Sequence, residues 1–136
     1  MTNEAILRDT KILSSRRFTC ATSTAIPKGT LLQLSADNTA SEAIDSSQFI
    51  GIAHADVNNS TDTSFNTDTN ITADKGAIYE LVASGSIGKG AYVVCAADNK
   101  VRAATEIEAA SMNRLVVGVT LEAASDAETV NVEVLL

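Results

Sequence analysis

One short pattern occurs twice in this chain, and it restricts the fold to one with internal symmetry. In the first copy, the turn Ile26-Pro27-Lys28-Gly29 leads into an apolar run and then into Asp37-Asn38. In the second copy, Ile87-Gly88-Lys89-Gly90 leads into a similar run and then into Asp98-Asn99, 61 positions later. Glycine and the Asp-Asn pair are turn residues, so each copy is predicted to form a turn, a strand and a second turn.

A second pair of matching segments lies further along each copy. Phe49–Ala53 is similar to Val116–Thr120 at a separation of 67 residues, so the second copy holds six more residues between its two blocks. Two copies are too few for a solenoid. We therefore predict a mainly β fold, a small β-barrel or sandwich built from two pseudo-repeated β units at about 26–57 and 87–123.

Hydrophobic alternation predicts further strands. Thr129–Val134 alternates strictly between valines and polar residues, and 77–83 is a second β pattern that Ser84-Gly85-Ser86 ends. The segment 115–121 is nearly all apolar, so both of its faces are expected to be covered. Gly51 and Gly118 fall inside strands, where glycine marks a bulge or a close approach of two backbones.

Helix is predicted to be minor, one or two short segments at most. Thr105 and Glu108 have the spacing of a capping box, which favours a short helix running to about Arg114. Thr39 and Glu42 have the same spacing in the first copy.

The first twenty residues differ in charge from the rest. They carry a net charge of +2, and the remaining residues carry −9. We interpret 1–20 as an extended N-terminal arm and 21–136 as a single β-barrel domain. The alternative is that the segment is an edge strand folded back on the body. The candidate partner-binding residues are the basic side chains of the arm: Arg8, Lys11, Arg16 and Arg17.

Composition excludes several classes of function. The chain has 136 residues, a net charge of −7 and a calculated pI near 4.5, which fits one domain and argues against general nucleic-acid binding. Its apolar runs reach four or five residues, too short to span a membrane, and no secretory signal is recognisable. Aromatic residues make up 4% of the chain, which leaves little for stacking sugars or bases.

No residues stand in a catalytic or metal-binding pattern. His54 is the only histidine and lacks a nucleophile motif, so a structural or surface role is expected. Cys20 and Cys95 are 75 positions apart and are expected to be buried free thiols, with one disulfide as the alternative. We predict no catalytic residues, no cofactor and no small-molecule substrate.

A polar stretch covers residues 56–74. Its Asp56, Asn58 and Asp62 are calcium-type ligands, but the glycine and glutamate of an EF-hand loop are missing, so no metal site is predicted. Nineteen residues are long for a structureless loop, and we expect a short strand near 63–67.

These segments together resemble the head-decoration, or capsid-cement, proteins of tailed bacteriophages, over roughly residues 20–136. The family usually has Asp after the glycine of the second turn, where this chain has Ala91. The resemblance rests on the turn and strand patterns at 26–34, 49–53, 76–81, 87–94, 117–119 and the terminal alternating strand.

The resemblance implies a compact β-barrel that assembles as a homotrimer on the outer capsid surface, with a terminal arm holding the shell. It carries over no catalytic residues. The leading hypothesis is therefore a non-enzymatic virion protein, made in the host cytoplasm, that binds the major capsid protein and sister copies. It would bind neither nucleic acid nor membrane. The alternatives are a fibre or adhesion module that recognises a host surface or carbohydrate through 56–74, and a small β-barrel enzyme.

Overall fold

The computed structural model describes residues 3–8, 12, 14–59, 69–110 and 114–135. Within these residues the chain forms thirteen strands and one short helix. The strands of the N-terminal half are β1 (Ile6–Leu7), β2 (Ser14–Cys20), β3 (Thr24–Ile26), β4 (Leu31–Ala36), β5 (Thr39–Glu42), β6 (Phe49–Ala53), β7 (Val57–Asn59) and β8 (Asn70–Lys75). Those of the C-terminal half are β9 (Ile78–Ala83), β10 (Tyr92–Ala96), β11 (Lys100–Ala103), β12 (Val116–Thr120) and β13 (Thr129–Val134), with the helix α1 (Glu106–Ala110) between β11 and β12.

The strands close into two small barrels of five strands each. The first barrel has the order β2-β5-β4-β6-β8, and β8 pairs back onto β2. The second barrel has the order β9-β11-β10-β12-β13, and β13 pairs back onto β9. Each barrel contains one parallel pair of strands, β2 with β5 in the first and β9 with β11 in the second. All other neighbouring strands in the two barrels are antiparallel.

The predicted fold class is confirmed, and the structure refines how the two units close. Each unit forms its own barrel, because its last strand returns to pair with its first. The 61- and 67-residue separations recur in the pairing outside the barrels: Ile26 pairs with Val57 between β3 and β7, and Ile87 forms a bridge with Ala124. The sequence repeat is therefore a duplication of the whole strand topology.

Both barrels bend at the same place. The register shifts between Leu32 and Gln33 where β4 pairs with β6, and between Val93 and Val94 where β10 pairs with β12. The in-strand glycines lie beside these bulges. A Cβ at Gly51 would come within 2.7 Å of the Ala73 Cβ, and one at Gly118 would overlap the carbonyl oxygen of Glu133. The predicted bulge and close approach are confirmed.

The six extra residues of the second unit accommodate the helix. Six residues, 43–48, join β5 to β6, whereas twelve, 104–115, join β11 to β12 and include α1. The Thr105 capping box is confirmed: the Glu108 N–H donates to Thr105 Oγ1 at 3.2 Å, and the Thr105 N–H donates to Glu108 Oε1 at 3.0 Å. The matching box in the first unit is wrong, because Thr39–Glu42 forms strand β5 between two partners.

Burial follows the predicted strand patterns. Val130, Val132 and Val134 point inward from β13, and both faces of β12 are covered at Val116 and Val117. One apolar cluster fills the first barrel with Cys20, Ile26, Leu32, Ala40, Ala53, Ile71 and Ala73. A larger cluster fills the second barrel and also takes in residues from the first barrel, among them Leu31, Phe49 and Ile52. The two barrels therefore share this larger core, and the first barrel also has its own.

Asn99 links the two barrels through buried hydrogen bonds. It lies in the turn between β10 and β11 at a φ of 57°, and the residue is only 1% exposed to solvent. The Leu31 N–H donates to its Oδ1 at 2.7 Å, and its Nδ2 donates to the carbonyl oxygens of Gly29 and Asn3 at 3.1 and 2.9 Å. The repeat-equivalent Asn38 has a φ of 51° but is exposed. The turn between β10 and β11 of the second barrel thus hydrogen-bonds to the start of strand β4 in the first barrel.

The described part of 1–20 is paired with the body. Ser14–Cys20 is strand β2, antiparallel to β8, and Ile6–Leu7 is strand β1, antiparallel to β9. For these residues the pairing corresponds to the folded-back strand that the sequence left as an alternative. The division at residue 20 stays a prediction, as does a separate function for the arm.

The predicted strand near 63–67 lies outside the described residues. The ends of the polar stretch that contains it are ordered as strands. Val57–Asn59 pairs with β3, and Asn70–Lys75 is a full strand of the first barrel.

Gly118→Ala is expected to lower the free energy of unfolding by about 2–3 kcal/mol, because its Cβ would force β12 away from β13. Thermal or denaturant unfolding measures the change. Gly88→Ala is the matched control, since a Cβ there meets nothing within 4 Å. Equal stabilities for the two variants would contradict the close approach.

Asn99→Gly is expected to destabilise the protein by about 2–4 kcal/mol, because it leaves the buried Leu31 N–H without its acceptor. Asn38→Gly makes the same change at the equivalent turn, where the side chain is exposed and the positive φ is kept. That control should cost less than about 0.5 kcal/mol. A difference below 1 kcal/mol between the two variants in chemical denaturation would show that Asn99 does not link the barrels.

Candidate functional site

The exposed basic side chains of β2 form the first part of the candidate site. Arg16 and Arg17 are both exposed and project to opposite sides of the strand, because successive side chains of a strand alternate. Arg16 lies opposite Ala73 of β8, and Arg17 lies opposite Thr72. The first barrel thus presents two arginines on one strand of an acidic molecule.

Lys75 adds a third positive charge beside Arg16. It pairs with Ser14 across β2 and β8, and its half-buried ammonium group lies 5.3 Å from the centre of the Phe49 ring. Burial, and then the neighbouring charge of Arg16, lower the pKa of Lys75. Arg16 and Lys75 lie on one face of the β2–β8 pair and Arg17 lies on the other; we call these three residues together the basic patch. Sequence reasoning did not identify Lys75, because only the pairing of β2 with β8 brings it beside Arg16.

The other two predicted residues are not part of this patch as described. Arg8 follows β1 on the second barrel, where its guanidinium lies 3.7 Å from the Glu80 carboxylate. Its side chain is 54% exposed, so this ion pair contributes little to stability. Lys11 lies outside the described residues.

A polar group lies next to Lys75 at the same end of β8. The buried carboxylate of Asp74 accepts a hydrogen bond from Ser15 Oγ at 2.6 Å, and its other oxygen lies 2.6 Å from His54 Nδ1. The imidazole itself is exposed. Because the Ser15 hydroxyl donates its one proton to Asp74, it does not donate to the imidazole, and His54 does not activate it as a nucleophile. The arrangement satisfies a buried carboxylate, which agrees with the expected structural role of His54.

A small cavity of about 100 Å³ borders this group and is lined by residues of both barrels, including Lys28, His54, Asp74 and Tyr79. Burial, and then the charge of Asp74, raise the pKa of Tyr79 to about 12, so this phenol stays protonated at neutral pH. Asp56, a considered calcium ligand, instead accepts the Lys28 N–H at 2.7 Å. Within the described ranges no group of three or more His, Cys, Asp or Glu residues could hold a metal ion.

The two cysteines are free and buried, as expected. Cys20 lies in the core of the first barrel, and Cys95 lies in the shared core. Burial raises the pKa of Cys95 to about 12, which makes this thiol a poor nucleophile. In the part of the chain that the structure covers, no helix is long and apolar enough to cross a membrane.

Comparison with known proteins identifies the family. The sequence of residues 13–136 matches the phage cement proteins. This chain belongs to the phage cement protein family. It is therefore a capsid-associated structural protein of a bacteriophage, as the sequence resemblance indicated. No curated protein matches the chain.

A solved structure has the same fold. The cement protein is similar to the N base of head fiber gp8.5 of bacteriophage phi29, with a TM-score of 0.57 and 17% sequence identity. The match covers 90% of this chain and 95% of the other. The likeness concerns the fold, the arrangement of strands along nearly the whole length of both chains.

The loop 43–48 of the first barrel is tied to the second barrel of the cement protein by charged groups. Both guanidinium NH groups of Arg102 bind the Glu108 carboxylate, at 2.8 and 2.7 Å, and its Nε donates to Asp45 Oδ1 at 2.9 Å. Ser46 Oγ also donates to Glu108. The hydrogen bonds from Arg102, and after them the one from Ser46, hold the pKa of Glu108 well below its usual range. Glu108 therefore joins α1, β11 and the loop of the first barrel.

Glu108→Gln is expected to destabilise the cement protein by about 1–3 kcal/mol at pH 7, since it breaks a charge-assisted, largely buried pair. A carboxyl whose pKa falls on folding stabilises above its unfolded pKa, near 4.5, and loses that contribution as the pH falls further. The difference between wild type and variant should therefore shrink between pH 5 and pH 2. Unfolding curves across this range, with the exposed Glu106→Gln as control, measure it. A constant difference would contradict the ion pair as its cause.

Proposed function

We propose that this chain binds the outer surface of an assembled phage capsid and stabilises the shell, with the major capsid protein as its main partner. Membership of the phage cement protein family carries the proposal. The proposed contacts are the basic residues Arg8, Lys11, Arg16 and Arg17, with Lys75 added. No step of this function requires a cofactor, a small-molecule substrate or an enzymatic reaction.

Charge distribution supports this choice of contacts. The chain carries a net charge of −7, so an acidic capsid surface repels most of it, whereas the basic patch is attracted. A basic patch on an otherwise acidic molecule favours one docking orientation, and this effect is larger than its contribution to affinity. The patch also lies on a rigid element, because β2 is held along its length by β8.

Sister copies are the second proposed partner, in a homotrimer on the outside of the virion. Several weak contacts made by one assembly raise the effective affinity without any new chemistry. Synthesis in the host cytoplasm, followed by docking on a finished shell, completes the proposal. Light scattering coupled to size-exclusion chromatography tests the trimer on the isolated protein.

A fibre or adhesion module is the second candidate function. The shared fold with the N base of a phage head fiber favours it. Such a module would recognise a host surface or carbohydrate through 56–74. Glycan-array binding by the isolated protein, without affinity for capsids, would select this function over the first.

Reversing the two arginine charges, Arg16→Glu with Arg17→Glu, is expected to weaken capsid binding at least tenfold, because attraction becomes repulsion. Deletion of 1–20 is a poorer test, since it removes strand β2 from the barrel. Co-sedimentation with capsids purified without this protein measures the occupancy. Lys89→Glu with Arg114→Glu is the matched control, equal in charge change and also at exposed positions. Unchanged occupancy for the first variant would discard the basic patch as the contact.

A further inference from the structure

The duplication allows the same seam to be compared in the two barrels. In the second barrel, the parallel neighbour β11 covers β9 only at Val82 and Ala83. The preceding residues of that edge are covered by β1, whose Ile6 and Leu7 pair with Glu80 and Tyr79. A two-residue strand from elsewhere in the chain thus completes the seam of the second barrel.

The same seam of the first barrel is only half covered. Its parallel neighbour β5 pairs with β2 at Thr19 and Cys20, the positions equivalent to Val82 and Ala83. By the same register, Arg17 corresponds to Glu80 and Ser15 to Ile78. No strand of the described ranges pairs with this side of 15–17, where β1 would lie by analogy.

Backbone direction shows that this edge can accept a strand. The Thr19 N–H points to the seam and donates to the Asn38 carbonyl, whereas the Cys20 N–H donates to Thr69 beside β8. Because strand residues alternate, the N–H and C=O groups of Ser15 and Arg17 also point to the seam. In the second barrel the equivalent carbonyl, that of Ile78, accepts the N–H of Arg8 at 2.7 Å.

The charge at this seam is opposite in the two barrels. In the second barrel, the side chain of Arg8 on the incoming segment faces Glu80 of β9. In the first barrel, the position of Glu80 is taken by Arg17, with Arg16 beside it, and both are exposed. A segment that fits this seam therefore carries Asp or Glu where the chain's own segment carries Arg8.

We propose that the edge of β2 binds a short, extended, acidic segment of the major capsid protein by β-strand addition, antiparallel and in the register that β1 adopts on β9. The inference rests on the proposed function and specifies its geometry. Main-chain hydrogen bonds to Ser15 and Arg17 supply the attachment, and the arginine side chains select an acidic segment over a basic one.

Quenched hydrogen exchange tests the proposal, with amides read by NMR after the protein is released from capsids. In the free protein, the Ser15 and Arg17 amides should exchange fast, and those of Arg16 and Phe18, directed to β8, slowly. On capsids, exchange at Ser15 and Arg17 should slow at least tenfold. Slow exchange of both in the free protein would overturn the proposal, because the chain would cover its own edge. Full capsid occupancy with both amides still fast would overturn it and leave the proposed function standing. A lack of capsid binding would overturn both.

A pair of variants separates the main-chain contact from the charge. Arg17→Ala removes the guanidinium and keeps the N–H, whereas Arg17→Pro removes both, and proline is tolerated where an edge N–H has no partner in the sheet. At matched thermal stability, the proline variant should bind capsids at least tenfold more weakly than the alanine variant. Equal binding of two folded variants would overturn strand addition. If the proline variant does not fold, the exchange experiment decides.

Discussion

The packing of the first barrel's outer face against the second barrel is the constraint on which the rest of the structure depends. Leu31 and Leu32 are neighbours on β4, yet Leu32 fills the first barrel and Leu31 enters the core shared with the second. Each small barrel encloses few large side chains, so neither buries much apolar surface alone. Joining them through Leu31, Phe49 and Ile52 adds apolar burial that either five-stranded barrel alone would lack.

Polar groups determine the relative orientation of the two packed barrels. Asn99 accepts a hydrogen bond from Leu31 at the start of β4 in the first barrel. Elsewhere, Arg102 binds both Glu108 and Asp45, and so attaches the loop 43–48 to the second barrel. Such buried hydrogen bonds are costly when left unmade, so they favour one relative orientation of the two barrels. That orientation keeps β2 and its arginines on the outside.

Strand positions and the duplication were predictable from the sequence because their signals are local. The valine alternation of Thr129–Val134, the Thr105 capping box and the 61- and 67-residue separations all correspond to observed elements. Separate closure of each unit was not predictable, since it depends on which distant strand β8 and β13 pair with. Asn38 and Asn99 are alike in sequence and backbone, and only the neighbouring barrel makes one of them buried. The same holds for Lys75, which joins Arg16 only through the β2–β8 register, and for Thr39–Glu42, where strand pairing overrides a capping pattern.

Closed barrels have few free strand edges, so another chain can pair with this protein as an added strand at only a few places. The parallel seam is the exception in each barrel, and the chain uses its own β1 at one of the two. Electron cryo-microscopy of capsids carrying the protein tests the account most directly. The account predicts that the first barrel contacts the shell through β2, with capsid density continuing its sheet beside Ser15 and Arg17. Attachment through the second barrel alone, with β2 facing solvent, would contradict it.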